Sequence, residues 1–232
     1  TALYANTSGH SNVALGKDAL KQNTTGANNV AVGINSLENN TTGGVNTAVG
    51  RQAMYSNTEG ENNTAIGNSA LYANTTADHN TAVGTNALLS NTTGDLNTAI
   101  GSNALNANQV GDRAVAIGYN ALTSQAPTSN TDTNNVAVGL NSQFSTTTGT
   151  NNTSVGTKAL EQNTTGINNT AVGELALDAN TTAQNNTAVG RAALSSSTGS
   201  DNVAVGSGAG YNITSGANNI VLGKNAAASS AT

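Results

Sequence analysis

Short apolar segments alternate with polar turns along the whole chain. The phrase N-[TV]-A-[VI]-G, or a close variant of it, occurs thirteen times, and its closing glycines are 17 residues apart in ten of the twelve intervals. A fixed period of this kind indicates a stack of equivalent units. We number the unit N-T-A-V-G-x-x-A-L-x-x-N-T-T-G-x-x from position 1 to position 17. The position-5 glycines are Gly16, Gly33, Gly50, Gly67, Gly84, Gly101, Gly118, Gly139, Gly156, Gly173, Gly190, Gly206 and Gly223.

Each unit predicts two short strands and no helix. Positions 2–4 are small or β-branched and stop at a glycine, which is typical of a short strand. The stretch A-L-x-x-N-T-T-G predicts a turn, a second short strand and another turn. Seventeen residues are too few for the helix pair of an α-solenoid. The chain is therefore predicted to be all-β, a parallel β-solenoid of about 13 coils with strands about 4.8 Å apart.

The strand of each unit is apolar on both faces. Position 4 is Val, Ile or Leu in all thirteen units, and position 3 is Ala in eleven of them. Successive strand residues point to opposite faces, and strands that are apolar on both faces are usually buried on both. One face can line the inside of the coil, whereas a single narrow coil cannot cover the other. We therefore expect an oligomer in which the position-3 or the position-4 side chains of several chains meet.

Four further positions complete the predicted coil. Leu or Met at position 9 and Ala at position 8 recur in most units, so Val, Leu and Ala are expected to fill the lumen. Asn occupies position 1 in twelve of the thirteen units. Stacked Asn side chains are predicted to bond to one another and to the turn backbone. Gly recurs at position 15, which predicts a turn with positive φ.

Composition narrows the classes of function. Asn, Ala, Thr and Gly make up 137 of the 232 residues, and only 8 % are charged, against about 25 % in a typical soluble domain. With no Cys and a net charge of −5, disulfides, thiolate metal sites and a basic nucleic-acid surface are not expected. No apolar run approaches the roughly 18 residues of a membrane span, so membrane insertion of this segment is not expected either.

Catalysis is not expected. The two histidines, His10 and His79, lie in turns four coils apart, which is too far for a shared metal ion or a catalytic triad. No phosphate-binding glycine motif precedes a helix. We predict that the chain is not an enzyme.

One column of acidic residues is a candidate metal site. Position 16 is acidic in four consecutive coils, at Glu61, Asp78, Asp95 and Asp112. Carboxylates about 4.8 Å apart repel one another unless they are solvated or paired, and Ca²⁺ favours such oxygen ligands. The alternative is a solvated turn in which His79 and Arg113 are partial partners. Apart from Ca²⁺, no cofactor is expected.

Position 10 holds a candidate contact surface for a ligand. Tyr55, Tyr72 and Leu89 follow one another there in three consecutive coils, and Tyr211 occurs further along. Aligned aromatic side chains can stack on sugar rings or contact a receptor. Alternatively, they cover neighbouring chains in the oligomer.

Thr and Asn also recur in surface-like patterns. Paired threonines at positions 13 and 14 resemble the arrays of ice-binding β-solenoids, but only one column per unit can face outward; the alternative is β-propensity with turn hydrogen bonding. The repeat also creates glycosylation sequons, which imply little by themselves. The sequons that begin at position 12 are at Asn23, Asn40, Asn74, Asn91, Asn163 and Asn180.

Two stretches depart from the repeat. An irregular coil at 119–134 carries four extra residues and the only proline of the chain, and residues 207–232 lack Leu at position 9. Insertions in solenoids form loops, and the ends of a stack need capping. Otherwise we expect one β-solenoid domain over 1–232, as a segment of a longer fibre.

The phrases NVALG, NVAVG, NTAVG and NTAIG resemble the head repeats of trimeric autotransporter adhesins. The longer phrase N-T-A-[VI]-G-x-x-A-L-x-x-N-T-T-G is also similar to repeats of tail-fibre-like proteins from phages and bacteria. The resemblance implies a left-handed, homotrimeric β-roll that is extracellular, on a bacterial surface or a virion tail fibre. It implies a structural and adhesive function, with a host-surface glycan or protein as partner. The alternative function is a dedicated ligand-binding β-solenoid for glycan, Ca²⁺ or ice.

Overall fold

The structure, a computed structural model, describes residues 1–227. These residues form an all-β parallel solenoid of about 12 turns with a period near 17 residues. The predicted all-β parallel solenoid and its period near 17 residues are confirmed. The described residues form about 12 turns, one fewer than the 13 coils predicted, because thirteen strands delimit twelve intervals. Within this described range, no helix is long and apolar enough to cross a membrane.

The chain divides into two compact units. The first unit consists of Thr1–Ala114 and Ala126–Thr131, and the second consists of Val115–Gln125 and the described part of Asp132–Thr232. The boundaries between the units follow residues 114, 125 and 131. The last two fall within the irregular coil predicted at 119–134, and the first lies shortly before it. The atypical terminal coils predicted at 207–232 lie within the described residues only up to residue 227.

Each turn contributes one short strand. Thirteen strands have three residues and coincide with positions 2–4, and two further strands have only two residues. The three-residue strands are β1 (Val13–Leu15), β2 (Val30–Val32), β3 (Thr47–Val49), β4 (Thr64–Ile66), β5 (Thr81–Val83), β6 (Thr98–Ile100), β8 (Val115–Ile117), β10 (Val136–Val138), β11 (Thr153–Val155), β12 (Thr170–Val172), β13 (Thr187–Val189), β14 (Val203–Val205) and β15 (Ile220–Leu222). The two-residue strands are β7 (Gly111–Asp112) and β9 (Thr131–Asp132).

Strand pairing is parallel and keeps every position above its counterpart. In the first unit β1 to β6 pair in chain order, with Ala31 of β2 opposite Ala48 of β3. In the second unit β8 pairs with β10, and β10 to β15 then pair in chain order. The sequence period therefore becomes a set of columns, each made of one repeat position.

The structure decides which strand residue faces inward. Position-3 alanines such as Ala48 and Ala171 are fully buried, whereas nine of the thirteen position-4 side chains are between 36 % and 66 % exposed. The alternation of a strand places positions 2 and 4 on the outer face. The expectation that Val helps to fill the lumen is therefore wrong for position 4, because the inner face of the strand is occupied by position 3, which is Ala in eleven of the thirteen units. The nine exposed position-4 residues are Leu15, Ile66, Ile100, Ile117, Val155, Val172, Val189, Val205 and Leu222.

Position 9 supplies the large side chains of the core. Leu37, Met54 and Leu177 are fully buried, and they pack with the alanines of positions 3 and 8. From Leu3 to Leu194, the position-9 residues have φ between 48° and 53°, a left-handed conformation that costs an L-residue about 1–2 kcal/mol. Burying a leucine contributes about 1.5–3 kcal/mol, which offsets that cost. The core can therefore use leucine at a backbone position that would normally favour glycine or asparagine.

The second strand predicted in each unit is absent from the described residues. That segment does form hydrogen bonds from coil to coil, for example from Leu20 N to Ser36 O at 3.0 Å and from Gln22 N to Glu38 O at 2.9 Å. However, the residues at positions 7 and 9 are left-handed, as at Asp18 (φ 56°) and Leu20 (φ 50°). Because a strand needs extended backbone at successive residues, this side of the coil is a series of turns.

The two recurrent glycines have different roles. At position 5, Gly118 has φ of 136°, and a Cβ there would lie 2.5 Å from the carbonyl oxygen of Gly139. Both the conformation and the contact require glycine. The positive φ predicted for position 15 is wrong. A Cβ at Gly43 would instead lie 2.5 Å from the carbonyl oxygen of Gly60 and 2.6 Å from Oδ1 of Asn40, so close packing favours glycine there.

Asparagine amides at two positions tie each coil together. The Nδ2 atoms of Asn29 (position 1) and Asn40 (position 12) both donate to the carbonyl oxygen of Gly43, each at 2.9 Å. Oδ1 of Asn29 accepts the backbone N–H of Asn46 in the next coil at 2.9 Å. The predicted bonding of position-1 Asn to the turn backbone is confirmed, and direct side-chain bonds also occur, as between Asn169 and Asn152 at 3.1 Å.

Candidate functional site

The surface column at position 10 changes character from coil to coil. Lys21 and Glu38 form an ion pair of 3.7 Å, and Tyr55 and Tyr72 stack with ring centroids 5.2 Å apart and planes 7° from parallel. Leu89 follows in the next coil. The predicted alignment of Tyr55, Tyr72 and Leu89 on one side of the solenoid is therefore present, and all three side chains are half-buried. A column that varies in this way can distinguish one coil from another, whereas an invariant column cannot.

A groove of about 590 Å³ adjoins this column in the first unit. Tyr72 and Leu89 form part of its wall, and Tyr55 lies outside it. The other lining residues are Gln52, Ser69, Ala73, Ser90, Thr92 and Gln109. The volume is within the range of small-molecule sites in proteins.

Sequence reasoning missed the polar half of this groove. Gln52 and Ser69 occupy position 7, and Thr92 and Gln109 occupy position 13. Each of these positions looked like ordinary turn surface. The available signal was that both columns carry amide or hydroxyl side chains in the coils next to the tyrosines.

Three aspartates of position 16 accept hydrogen bonds from backbone N–H groups of neighbouring coils. Oδ1 of Asp78 accepts the N–H of Glu61 at 2.6 Å, and Oδ1 of Asp95 accepts the N–H of Asp78 at 2.7 Å. Asp112 accepts the N–H of Asp95 in the same way at 2.7 Å. Within residues 1–227, no three carboxylate or imidazole side chains lie close enough to share a metal ion. The Ca²⁺ ladder stays a prediction, and each of these three aspartates has a hydrogen-bonding role without it.

One of the two threonine columns is occupied by internal hydrogen bonds. Oγ1 of Thr24 donates to the carbonyl oxygen of Thr41 at 3.0 Å, and Oγ1 of Thr41 donates to that of Thr58 at 2.9 Å. Position-14 threonines such as Thr25 and Thr42 are exposed. Position 14 therefore presents the more exposed threonine column, in line with the expectation that only one column per unit faces outward. Ice binding stays a prediction.

The asparagines of the position-12 sequons are part of the interior. Nδ2 of Asn40 donates to Oδ1 of Asn23 at 2.7 Å, and Nδ2 of Asn74 donates to Oδ1 of Asn57 at 2.7 Å. All six predicted sequon asparagines are fully buried. A glycan cannot be attached there in the folded chain, so the recurrence of N-T-T reflects a structural ladder at position 12.

In the second unit, the carboxyl group of Asp178 has a raised pKa. Burial and the neighbouring Glu161 carboxylate raise the pKa of Asp178, and Lys158 partly opposes this shift. Lys158 pairs with Glu161 at 3.3 Å, while Oδ1 of Asp178 is buried without a hydrogen-bond partner. This arrangement makes the stability of the second unit depend on pH.

The outer strand face is the remaining surface without a partner. Position 2 holds Thr, Val or Ile, and position 4 holds only Val, Ile or Leu. The faces of parallel sheets are usually covered, whereas this face is apolar and largely exposed among the described residues.

No family model, curated protein or solved structure matches the chain.

Proposed function

We propose that the chain is a structural and adhesive segment of an extracellular fibre, on a bacterial surface or a virion tail. It associates as a homotrimer and forms a shaft or head that makes multivalent surface contacts. The single observation that carries the proposal is the exposed position-4 column, where Val172 and Val189 are each 36 % exposed and Leu15 and Leu222 are each 66 % exposed.

A second copy of the chain suits this face better than an unrelated protein. Along each unit the apolar side chains recur once per coil, so a partner must present apolar groups with the same spacing. Another copy of the chain has the same spacing because it has the same sequence. Most soluble oligomers are symmetric assemblies of identical chains. The number three and the left-handed β-roll come from the resemblance to trimeric adhesin heads.

Multivalency supplies the adhesive part of the proposal. Three parallel copies triple every surface feature of the chain, and linked weak contacts can raise the overall binding strength by about 10²–10⁴-fold. The coil-to-coil backbone and asparagine hydrogen bonds would make such a rod stiff. No catalytic step is required.

Sedimentation equilibrium tests the association. We expect the wild-type chain to sediment at three times its mass of 22.8 kDa. The double variant Val172→Glu, Val189→Glu places charges on two neighbouring coils of the outer strand face and should sediment as a folded monomer. The matched control is Thr165→Glu, Thr182→Glu at exposed position 14, which should remain trimeric. A folded wild-type monomer at about 100 μM, some hundredfold above a micromolar Kd, would contradict the proposal.

Cysteine crosslinking tests the same face in the first unit. The chain has no cysteine, so each variant carries a single thiol. On oxidation, Val83→Cys at position 4 should yield a covalent dimer within each trimer, because thiols near a shared axis can reach one another. Thr76→Cys at exposed position 14 should stay uncrosslinked. Equal crosslinking of both variants would argue against an axis at position 4.

A further inference from the structure

We infer that the groove beside Tyr72 and Leu89 binds a neutral carbohydrate, one or two sugar rings in length. The inference rests on the proposed adhesive function and specifies the ligand class of the position-10 surface.

The stacked pair makes Tyr72 a fixed platform. Tyr55 covers one face of the Tyr72 ring, with centroids 5.2 Å apart, and Tyr55 does not line the groove. Tyr72 and Leu89, which hold position 10 in neighbouring coils, both line the groove. A pyranose presents axial C–H groups from one face, and these pack well against an aromatic ring.

The remaining wall carries neutral hydrogen-bonding groups. Gln52 and Gln109 supply amides, and Ser69 and Ser90 supply hydroxyls, whereas none of the lining residues is charged. Oγ of Ser69 donates to Oδ1 of Asn68 at 2.9 Å and keeps its capacity to accept. Amides and hydroxyls both donate and accept, as sugar hydroxyl groups require. A sialylated or sulfated glycan would bury charge here without a cationic partner.

The backbone of the groove disfavours an extended peptide as occupant. The N–H of Ala73 donates to the carbonyl oxygen of Leu89 at 3.0 Å, and the N–H of Ser90 donates to that of Asn106 at 3.1 Å. A peptide that adds a strand needs unpaired backbone groups at a sheet edge. Since these donors are used between coils, recognition must come from side chains.

The groove and the proposed association surface do not share residues. The lining residues occupy positions 7, 10, 11 and 13, whereas association is assigned to positions 2 and 4. Binding and oligomeric state can therefore be measured and altered independently.

A glycan array provides the first test. The probes are neutral glucan, galactan, mannan and N-acetylglucosamine oligosaccharides, with sialylated and sulfated oligosaccharides for comparison. We expect binding to at least one neutral group and weaker binding to its charged derivatives. Absence of binding to every neutral probe, or preferential binding of the charged ones, would overturn the inference.

Variants then locate the site with the neutral probe that binds best. Tyr72→Ala should weaken binding about tenfold, the scale of one lost aromatic contact, and Tyr72→Phe should retain it. Gln109→Ala should also weaken binding. The control Tyr211→Ala removes another exposed position-10 tyrosine, in a coil outside the groove, and should bind like the wild type.

Sedimentation and circular dichroism of the same variants separate the possible failures. If Tyr72→Ala is folded and trimeric but binds as well as the wild type, the groove assignment is wrong while the fibre proposal stands. If the wild type binds through Tyr72 as a monomer, the association proposal fails while the groove assignment stands.

Discussion

The side-chain amide of Asn57 donates a 2.7 Å hydrogen bond to Oδ1 of Asn40, one coil earlier in the chain. The same amide also donates to the carbonyl oxygen of Gly60 at 3.0 Å. Because both asparagines are fully buried, water cannot replace these bonds. The ladder at position 12 thus links neighbouring coils through their interiors, in addition to the backbone bonds at their surface.

Breaking this ladder should be costly. Asn57→Ala leaves Oδ1 of Asn40 buried without its donor, and it removes the acceptor of the Asn74 amide. We expect the free energy of unfolding to fall by about 1–3 kcal/mol, the usual cost of an unsatisfied buried polar group. Urea titration followed by circular dichroism measures this change. The control Asn68→Ala removes an exposed asparagine of the next coil and should change stability by less than about 0.5 kcal/mol.

The same ladder stops at Ser197, and extending it should stabilise the chain. Oδ1 of Asn180 and Oγ of Ser197 are both buried without hydrogen-bond partners. Ser197→Asn places an amide at position 12, where it can donate to Asn180. We expect a gain of about 1 kcal/mol, the net value of one hydrogen bond, measured as a rise in the urea midpoint.

The neighbouring serine provides the control for this gain. Ser196→Asn makes the same chemical change at an exposed position and should leave the urea midpoint unchanged. An equal gain in both variants would mean that asparagine acts there through general propensity and not through the ladder.

Two adjacent alanines test the left-handed residue at position 7. Ala192 has φ of 54°, whereas its neighbour Ala193 is fully buried at position 8. Ala192→Gly should preserve or raise stability, because glycine adopts positive φ without steric cost. Ala193→Gly should lower stability by about 1 kcal/mol through its lost methyl group and added chain entropy. Thermal unfolding of the two variants measures the difference, and equal destabilisation would contradict the assigned backbone.

The raised pKa of Asp178 predicts a pH effect with a definite sign. The ordinary pKa of an aspartate side chain is 3.8, and burial and the Glu161 carboxylate shift the folded-state pKa of Asp178 upward. The folded state therefore binds this proton more tightly than the unfolded state does, and Asp178 opposes folding at neutral pH. Its contribution to stability should improve as the pH falls through the raised pKa, and the improvement should be complete below pH 3.8.

Asp178→Asn isolates this contribution. We expect the variant to be more stable than the wild type at pH 7 and to lose that advantage as the pH approaches 3.8. The measurement is urea unfolding at several pH values. Glu174→Gln, which removes one acidic group from an exposed position, controls for net charge. A stability difference between Asp178→Asn and the wild type that is independent of pH would contradict the assignment.

The repeat made the period, the strand at positions 2–4 and the buried Leu column predictable. These follow from which side chains recur, and recurrence is visible in a single sequence. The inward direction of the strand was not predictable, because Ala and Val at positions 3 and 4 are both apolar. Only the width of the coil decides that the smaller Ala48 faces inward and the larger Val49 outward.

Two of the wrong predictions concern backbone conformation. Leucine is a poor indicator of positive φ, so Leu20 and its counterparts predicted a strand where the backbone turns. Glycine is a good indicator of positive φ, so Gly43 predicted a turn with positive φ, whereas in the structure it allows close packing. The groove combines side chains from four coils, at positions whose residues vary from coil to coil. A consensus unit does not show such variable positions, so the groove was not predictable from it.

The spacing of the hydrogen bonds has a consequence for folding kinetics. Parallel sheets usually form slowly, because their strands are joined by long crossovers whose closure costs entropy before any contact is made. Here Leu20 bonds to Ser36 and Asn40 to Asn23, so each contact closes a loop of only about one coil. For a 232-residue chain that corresponds to a relative contact order of about 0.07, the value of helical bundles. Each coil can then template the next, because its hydrogen-bonding partners lie only about one coil away in the chain.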